Sequence, residues 1–202
     1  MGIYSTKSKW QRILHPLVEV CVKANIHPDW FIAGAIGLSI LAGFGLWQAA
    51  VNIQWLWLVP IGVLLRLGFN LIDGMVAREM GIASAWGEAL NEFGDRMSDF
   101  AVFFGLAMGG YVDLRILLLT LALIFLVSYL GILGKATGGA RVYGGVFGKG
   151  DRMISLAAFS FYALFTQQLN SFNVYLIAGA IAALITILQR LRKIYDHSKS
   201  TH

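Results

Sequence analysis

Residues 70–95 read NLIDGMVAREMGIASAWGEALNEFGD, a stretch in which carboxylates, amides and glycines recur between two apolar segments. At 100° per residue, the polar and small residues of the first segment share one helical face: Arg66, Asn70, Asp73, Gly74, Ala77 and Arg78. After a short hairpin, a second stripe repeats every four residues and consists of Gly87, Asn91, Asp95 and Asp99. Because the hairpin is short, we expect the two stripes to face each other.

The composition is that of a membrane protein. Of the 202 residues, 57% are hydrophobic and 13% are charged, whereas an ordinary soluble domain carries about 25% charged residues. So little charge cannot cover a water-soluble globule, which excludes a cytosolic enzyme, a disordered chain and a fibrous repeat. The net charge of +5 is expected in loops beside anionic headgroups, not on a nucleic-acid-binding face. The single Cys21 excludes an internal disulfide.

Six apolar segments predict the membrane topology. They cover residues 30–48, 54–77, 85–110, 114–135, 152–168 and 172–190. Most loop Lys and Arg residues fall on the side of the basic N-terminus, so the positive-inside rule predicts a plasma (inner) membrane protein with both termini in the cytoplasm. We expect an all-α integral membrane protein with six transmembrane helices, preceded by an N-terminal amphipathic surface helix.

The N-terminal region alternates basic and apolar positions over residues 4–24. Its apolar positions share one helical stripe: Trp10, Ile13, Leu14, Leu17, Val18 and Cys21. That pattern is typical of a helix lying on the membrane surface. Residues 25–29 then break the helix, and Asp29 is expected to cap the next one. The predicted organisation is residues 1–29 as interfacial helix and linker, 30–195 as the six-helix domain and 196–202 as a cytoplasmic tail.

The third apolar segment is unusually charged, since it carries Glu88, Glu92, Asp95, Arg96 and Asp99. Each charge at the bilayer centre costs about 2.5–3.5 kcal/mol on the insertion scale. A polar cavity or bound cations are therefore expected to offset that cost. Oxygen ligands that converge from two helices suit a hard cation such as Mg²⁺ or Mn²⁺.

The spacing in residues 70–95 resembles the signature of the CDP-alcohol phosphotransferase family. That signature runs Asp, two residues, Asp-Gly, two residues, Ala-Arg, about eight residues, Gly, three residues, Asp, three residues, Asp. This sequence matches its residue types at Asp73, Gly74, Ala77, Arg78, Gly87 and Asp95. It departs from the signature at Asn70 and Asn91, which stand where the family has its first and third Asp.

The resemblance implies a metal-dependent transfer in phospholipid biosynthesis. An acceptor alcohol would attack the phosphorus of a CDP-linked donor, expected to be CDP-diacylglycerol, and CMP would leave. Two divalent ions, Mg²⁺ or Mn²⁺, are expected, held by Asn70, Asp73, Asn91 and Asp95. Asp95 would also be the general base, and a homodimer is implied. The nucleotide and diphosphate contacts would be Asp29, Gly74, Ala77, Arg78, Ser84 and Gly87.

The two asparagines leave alternatives open. They remove two negative charges, so either metal affinity falls or Asp99, Glu92 or Glu88 supplies the missing charge. An alternative function is a catalytically degenerate family member that binds nucleotide-lipid or metal without turnover. A buried carboxylate such as Asp73 could also simply pair with Arg66 and hold the helices together.

A glycine-rich loop between the fourth and fifth segments carries four cations: Lys135, Arg141, Lys149 and Arg152. Flexible glycines beside cations suit an anionic acceptor such as a sugar phosphate or glycerol phosphate. The competing interpretation is ordinary positive-inside charge. Arg152 is the strongest candidate, because it begins the fifth segment and faces the same interface.

Overall fold

The computed structural model describes residues 7–200, and side chains from residue 11 to residue 199. Every regular element in that range is helical. The α-helices are α1 (Lys7–Lys23), α2 (Asp29–Gln48), α3 (Leu58–Glu79), α4 (Ala85–Gly109), α5 (Leu114–Ala136), α6 (Lys149–Thr166) and α7 (Phe172–Ser200). Short 3-10 helices, Ile53–Trp57 and Leu169–Ser171, precede α3 and α7.

Within the described residues, four helical segments are long and apolar enough to cross a membrane. They are Asp29–Gln48, Ile53–Glu79, Leu114–Ala136 and Leu169–Lys199. The chain is therefore a multi-pass membrane protein. The other two predicted spans correspond to α4, which carries five charged side chains, and α6, which begins with Lys149. Their crossing of the membrane stays a prediction.

Several helix ends differ from the predicted ones. α7 continues through residues 196–200, which were assigned to a tail, and α6 begins at Lys149. The prediction that Asp29 caps α2 was wrong, because Pro28 already has helical angles (φ −57°, ψ −27°) and Asp29 is the first helical residue. In the first turn its carboxylate still favours the positive end of the helix dipole. One Asp29 oxygen lies 3.3 Å from His27 Nδ1.

α1 is helical over Lys7–Lys23, and its apolar residues divide between two environments. Val18 and Cys21 are buried against α3 residues such as Ile72 and Val76. Ile13, on the other side, is 65% exposed. The Trp10 side chain and residues 1–6 lie outside the part that the structure describes. One apolar side of α1 is thus left uncovered by the protein, and its position on the membrane surface stays a prediction.

α2 and α4 approach each other through glycines. A Cβ atom added to Gly105 would overlap the backbone of Gly43, including its carbonyl oxygen. A Cβ atom added to Gly43 would in turn overlap the carbonyl oxygen of Ala101. Small residues let membrane helices pack backbone against backbone. This contact fixes α4 against α2 and so fixes the carboxylates that α4 carries.

The hairpin between α3 and α4 is short and locally determined. Gly81 has a φ of +68°, a left-handed conformation that glycine adopts without strain. Ser84 then begins α4, since its Oγ accepts a hydrogen bond from the Gly87 amide at 3.1 Å. After the turn, α4 packs mainly against α2, and residues of both polar stripes line one cavity.

Replacement of Gly105 by alanine is expected to destabilise the protein by about 1–3 kcal/mol, because the α2–α4 backbones must separate. The measurement is the thermal unfolding midpoint of the purified protein in detergent. Gly37→Ala is the matched control in α2, where nothing lies within 4 Å of the added Cβ. Equal midpoints for the two variants would contradict the packing argument.

Candidate active site

A cavity of about 510 Å³ lies where α3, α4 and α6 meet the loop of residues 137–148. Most of the predicted site residues line it: Asp29, Asn70, Asp73, Gly74, Ala77, Arg78, Ser84, Gly87, Asn91, Asp95, Arg141, Lys149 and Arg152. Two predicted residues, Asp99 and Lys135, are not part of its lining. The size is that of a small-molecule site.

Asp73 is buried and held by two donors. Its Oδ1 accepts from the Gly74 amide and its Oδ2 accepts from Asn91 Nδ2. The Asn91 amide therefore presents its nitrogen to Asp73. Asn70 also donates through its nitrogen, since its Nδ2 binds the Arg66 carbonyl oxygen at 3.0 Å. That leaves the oxygen of Asn70, and not its nitrogen, to face a cation.

Asp95 lies across from Asp73 and contacts two cations. Its Oδ1 is paired with the ammonium group of Lys149 and lies 3.8 Å from Arg66 Nη2. Arg66 Nη2 also donates to the Asp95 carbonyl oxygen at 3.4 Å. Asp95 and Arg66 are both buried, with 5% and 2% of their surface exposed. The carboxylate is therefore held in one place by α3 and α6.

Asp99 lies one turn further along α4 and meets three guanidinium groups. Its oxygens lie 3.2 Å from Arg66 Nη2, 3.3 Å from Arg96 Nη1 and 2.8 Å from Arg152 Nη2. The suggestion that Asp99 ligates a metal is not supported by this position, because all nearby groups are cations and the side chain is outside the cavity lining. Asp99 instead joins α3, α4 and α6.

The other two candidates for extra negative charge are also paired. Glu88 binds the ammonium group of Lys135, and Glu92 binds the guanidinium group of Arg141. Both glutamates line the cavity, but each is accompanied by its own cation. Lys135 is thus placed beside the cavity through Glu88 and does not itself reach the lining.

Arg190 of α7 was missed as a site residue. It is buried, lines the cavity, and donates to carbonyl oxygens of Gly144 (Nε, 3.0 Å) and Tyr143 (Nη2, 3.4 Å). In the sequence it stands beside Arg192 and Lys193, and the positive-inside rule explains all three as ordinary cytoplasmic charge. The signal that could have found it is the buried stripe of α7, where Ala183, Thr186 and Arg190 follow helical spacing.

The cavity lining offers oxygen donors for a divalent cation. Among the described side chains, no three His, Cys, Asp or Glu residues come together as a ligand group. The carboxylates of Asp73 and Asp95 nevertheless line the same cavity. Together with the Asn70 oxygen, they are the hard donors that Mg²⁺ or Mn²⁺ prefers.

Asp99→Asn is expected to destabilise the protein by about 3–5 kcal/mol, because it leaves three guanidinium groups without their shared carboxylate. Chemical denaturation in detergent measures the loss. Asp196→Asn is the matched control, since Asp196 is exposed and its nearest cation, Arg192, lies 3.9 Å away. If Asp99→Asn unfolds at the same denaturant concentration as the control, the cluster does not stabilise the helix bundle.

Known proteins are similar to this chain in sequence and in fold. Residues 26–188 match the family model described as CDP-alcohol phosphatidyltransferase. The chain is 30% identical to inner membrane protein YnbA of Escherichia coli K12, over 96% of each chain. It is 28% identical to a phosphatidylinositol phosphate synthase of Streptomyces avermitilis, over 89% of this chain and 77% of the relative.

A solved structure agrees with the helix arrangement. The Mycobacterium tuberculosis phosphatidylinositol phosphate synthase PgsA1, solved with CDP-DAG bound, has a TM-score of 0.68 and 24% identity, over 91% of this chain and 94% of that one. The same enzyme in complex with manganese and citrate gives a TM-score of 0.64 at 23% identity, over 89% and 88%. These likenesses establish the fold. Because the family model covers more than half of the sequence, the predicted resemblance is confirmed, and the chain belongs to the CDP-alcohol phosphatidyltransferase family.

Proposed function

We propose that this protein transfers the phosphatidyl group of CDP-diacylglycerol to a hydroxyl of a small phosphorylated alcohol and releases CMP. The observation that carries the proposal is one cavity lined both by two buried carboxylates, Asp73 and Asp95, and by the basic groups Lys149, Arg152 and Arg190. The diphosphate of the donor and the phosphate of the acceptor are both anionic, and such a cavity offers cations to each of them. Family membership supports the reaction type.

The donor side is formed by the two glycine-containing stripes. Gly74 has no side chain, and a Cβ atom there would lie 3.3 Å from Arg78 Nη1. The Arg78 guanidinium therefore lies beside open backbone, where a diphosphate can reach both. Ala77, Gly87 and the Ser84 turn extend this surface, and Asp29 borders it. The CDP-DAG complex of PgsA1 supports a CDP-diacylglycerol donor.

The acceptor side is basic. Arg152 is buried at the start of α6, Arg190 positions the loop through Gly144 and Tyr143, and Arg141 lies beside it. Guanidinium groups suit phosphate because they donate in a planar fork. The Streptomyces relative named phosphatidylinositol phosphate synthase supports inositol phosphate as the first acceptor to test.

Asp95 is the proposed general base. In the transfer, the acceptor oxygen bonds to the phosphorus that carries the diacylglycerol group, and the bond from that phosphorus to the CMP oxygen breaks. The acceptor proton passes to the Asp95 carboxylate, and CMP leaves with the bonding electrons. Arg66 holds Asp95 in place, and the Gly74 side of the cavity would hold the diphosphate; neither contributes a proton.

Mg²⁺ or Mn²⁺ is the proposed cofactor. Asp73, Asp95 and the Asn70 oxygen would hold it, and the cation would neutralise charge on the diphosphate. Family membership and the manganese complex of PgsA1 support this assignment.

The proposed placement in the membrane follows the charge distribution. We retain six spans, with α4 and α6 included, α1 on the membrane surface, and both termini in the cytoplasm. The name of the Escherichia coli relative supports the inner membrane. A homodimer remains a prediction from the family resemblance.

The degenerate, non-catalytic alternative is less well supported. A chain that only bound nucleotide-lipid would have no need of a buried carboxylate aligned by Arg66, as Asp95 is. The Streptomyces relative is named a synthase, which supports turnover.

The decisive experiment is CMP release from CDP-diacylglycerol by the purified protein with Mn²⁺ or Mg²⁺ and inositol phosphate. We expect metal-dependent release, and a fall of at least about 100-fold in Asp95→Asn because the base is lost. Asp196→Asn, on the exposed end of α7, is the matched carboxylate control.

Other acceptors extend the assay. Glycerol phosphate, inositol and serine test the acceptor class, and release with unphosphorylated alcohols alone would contradict the acceptor assignment. Binding of CDP-diacylglycerol without CMP release from any of these acceptors would favour the non-catalytic alternative.

Arg190→Gln is expected to raise the KM for the phosphorylated acceptor about ten-fold, the equivalent of one lost charge-assisted hydrogen bond. The KM for CDP-diacylglycerol is expected to stay unchanged, because Arg190 contacts the loop and not the Gly74 side. Arg192→Gln is the matched control, since Arg192 is 85% exposed on the same helix. A rise in the KM for CDP-diacylglycerol instead would show that Arg190 serves the donor, and it would contradict the assignment of Arg190 to the acceptor side.

A further inference from the structure

The negative charge available to a metal in this cavity is small. Two carboxylates, Asp73 and Asp95, contribute it, while Asn70 and Asn91 bring amides. Two carboxylates balance one divalent ion, and a second ion would leave two positive charges uncompensated in a buried site. This point rests on the proposed function, since it concerns the same metal site.

The other carboxylates near the cavity, which could compensate the charge of a second ion, are already paired with cations of the chain. Asp99 is surrounded by Arg66, Arg96 and Arg152. Glu88 and Glu92 are paired with Lys135 and Arg141. A second metal ion at any of these three carboxylates would have to compete with a cation of the chain that already neutralises it.

A cation from the chain itself already occupies part of the site. Lys149, the first residue of α6, pairs through its ammonium group with Asp95 Oδ1, and its side chain is 19% exposed. Lys149, Asp73 and Asp95 line the same cavity. The ammonium group thus lies beside Asp95 at the cavity wall, where a positive charge would face a bound diphosphate.

The two asparagines contribute oxygens but no charge. The nitrogen of Asn70 donates to the Arg66 carbonyl, which leaves its oxygen available. The nitrogen of Asn91 donates to Asp73, so Asn91 also fixes a carboxylate that would hold the ion. Amide ligands leave the charge balance for a single ion unchanged.

We propose that this site binds one divalent cation through Asp73, Asp95 and the Asn70 oxygen. In this proposal the Lys149 ammonium group takes the place of a second metal ion. The lysine remains with the carboxylates when the ion binds and contributes its charge toward the diphosphate of the donor. The site is therefore a hybrid of one metal ion and one ammonium group.

The test counts Mn²⁺ ions by equilibrium dialysis and by electron paramagnetic resonance on the purified full chain in detergent, with and without CDP-diacylglycerol. We expect one Mn²⁺ per wild-type chain and the spectrum of an isolated ion. Lys149→Met is expected to bind that Mn²⁺ at least about ten-fold more tightly, because a positive charge beside the ligands is gone. Lys135→Met is the matched control, with affinity within about two-fold of wild type, since Lys135 pairs with Glu88 away from these ligands.

Two ions per wild-type chain with a spin-coupled spectrum would overturn the proposal, as would an unchanged affinity in Lys149→Met. The triple variant Asn70→Asp/Asn91→Asp/Lys149→Met restores four carboxylates and is expected to bind two coupled ions. The wild-type count decides the matter even where a variant fails to fold. Because the readout is metal binding, a protein that binds one Mn²⁺ but releases no CMP would refute the proposed function and leave this inference standing.

Discussion

The ion cluster around Asp99 is the interaction on which the site depends. One buried carboxylate accepts from Arg66 of α3 and Arg152 of α6 and lies beside Arg96 of its own helix. A buried pair with poor geometry would destabilise the fold, because each charge loses its water. Here the Asp99 side chain joins three helices. The Arg66 guanidinium group that binds Asp99 also lies 3.8 Å from the Asp95 carboxylate. The position of Asp95, the proposed base, is thus coupled through Asp99 to the position of Arg152 on the proposed acceptor side of the cavity.

The local half of this arrangement could be predicted from the sequence. Fixed spacing on a helix determines which side chains share a face, so the Asn70–Asp73 stripe and the Asn91–Asp95 stripe could be paired across a short hairpin. The structure places those residues around one cavity. Family membership, inferred from the same spacing, is confirmed.

The partners of each charge could not be predicted, because sequence gives no distance between remote elements. The positive-inside rule accounts for Lys149, Arg152 and Arg190 equally well as exposed loop charges, so the sequence gives no reason to expect that they are largely buried. Asp99 follows Asp95 by one turn and therefore resembles a further ligand until its three arginines are known. Asp29 failed as a cap for a local reason, since Pro28 had already begun the helical geometry.

The charges of α4 also explain how such a helix can belong to a membrane protein. An isolated α4 would expose four carboxylates to lipid, each at a cost of about 2.5–3.5 kcal/mol near the bilayer centre. In the folded chain every one of them meets a cation from another element: Lys135, Arg141, Lys149 or Arg66. The neutralisation is complete only once α3, α5, α6 and the loop are assembled, so α4 is stable as part of the bundle. The same pairing that stabilises α4 supplies the cavity with cations, and a site built in this way is suited to anionic substrates before any metal binds.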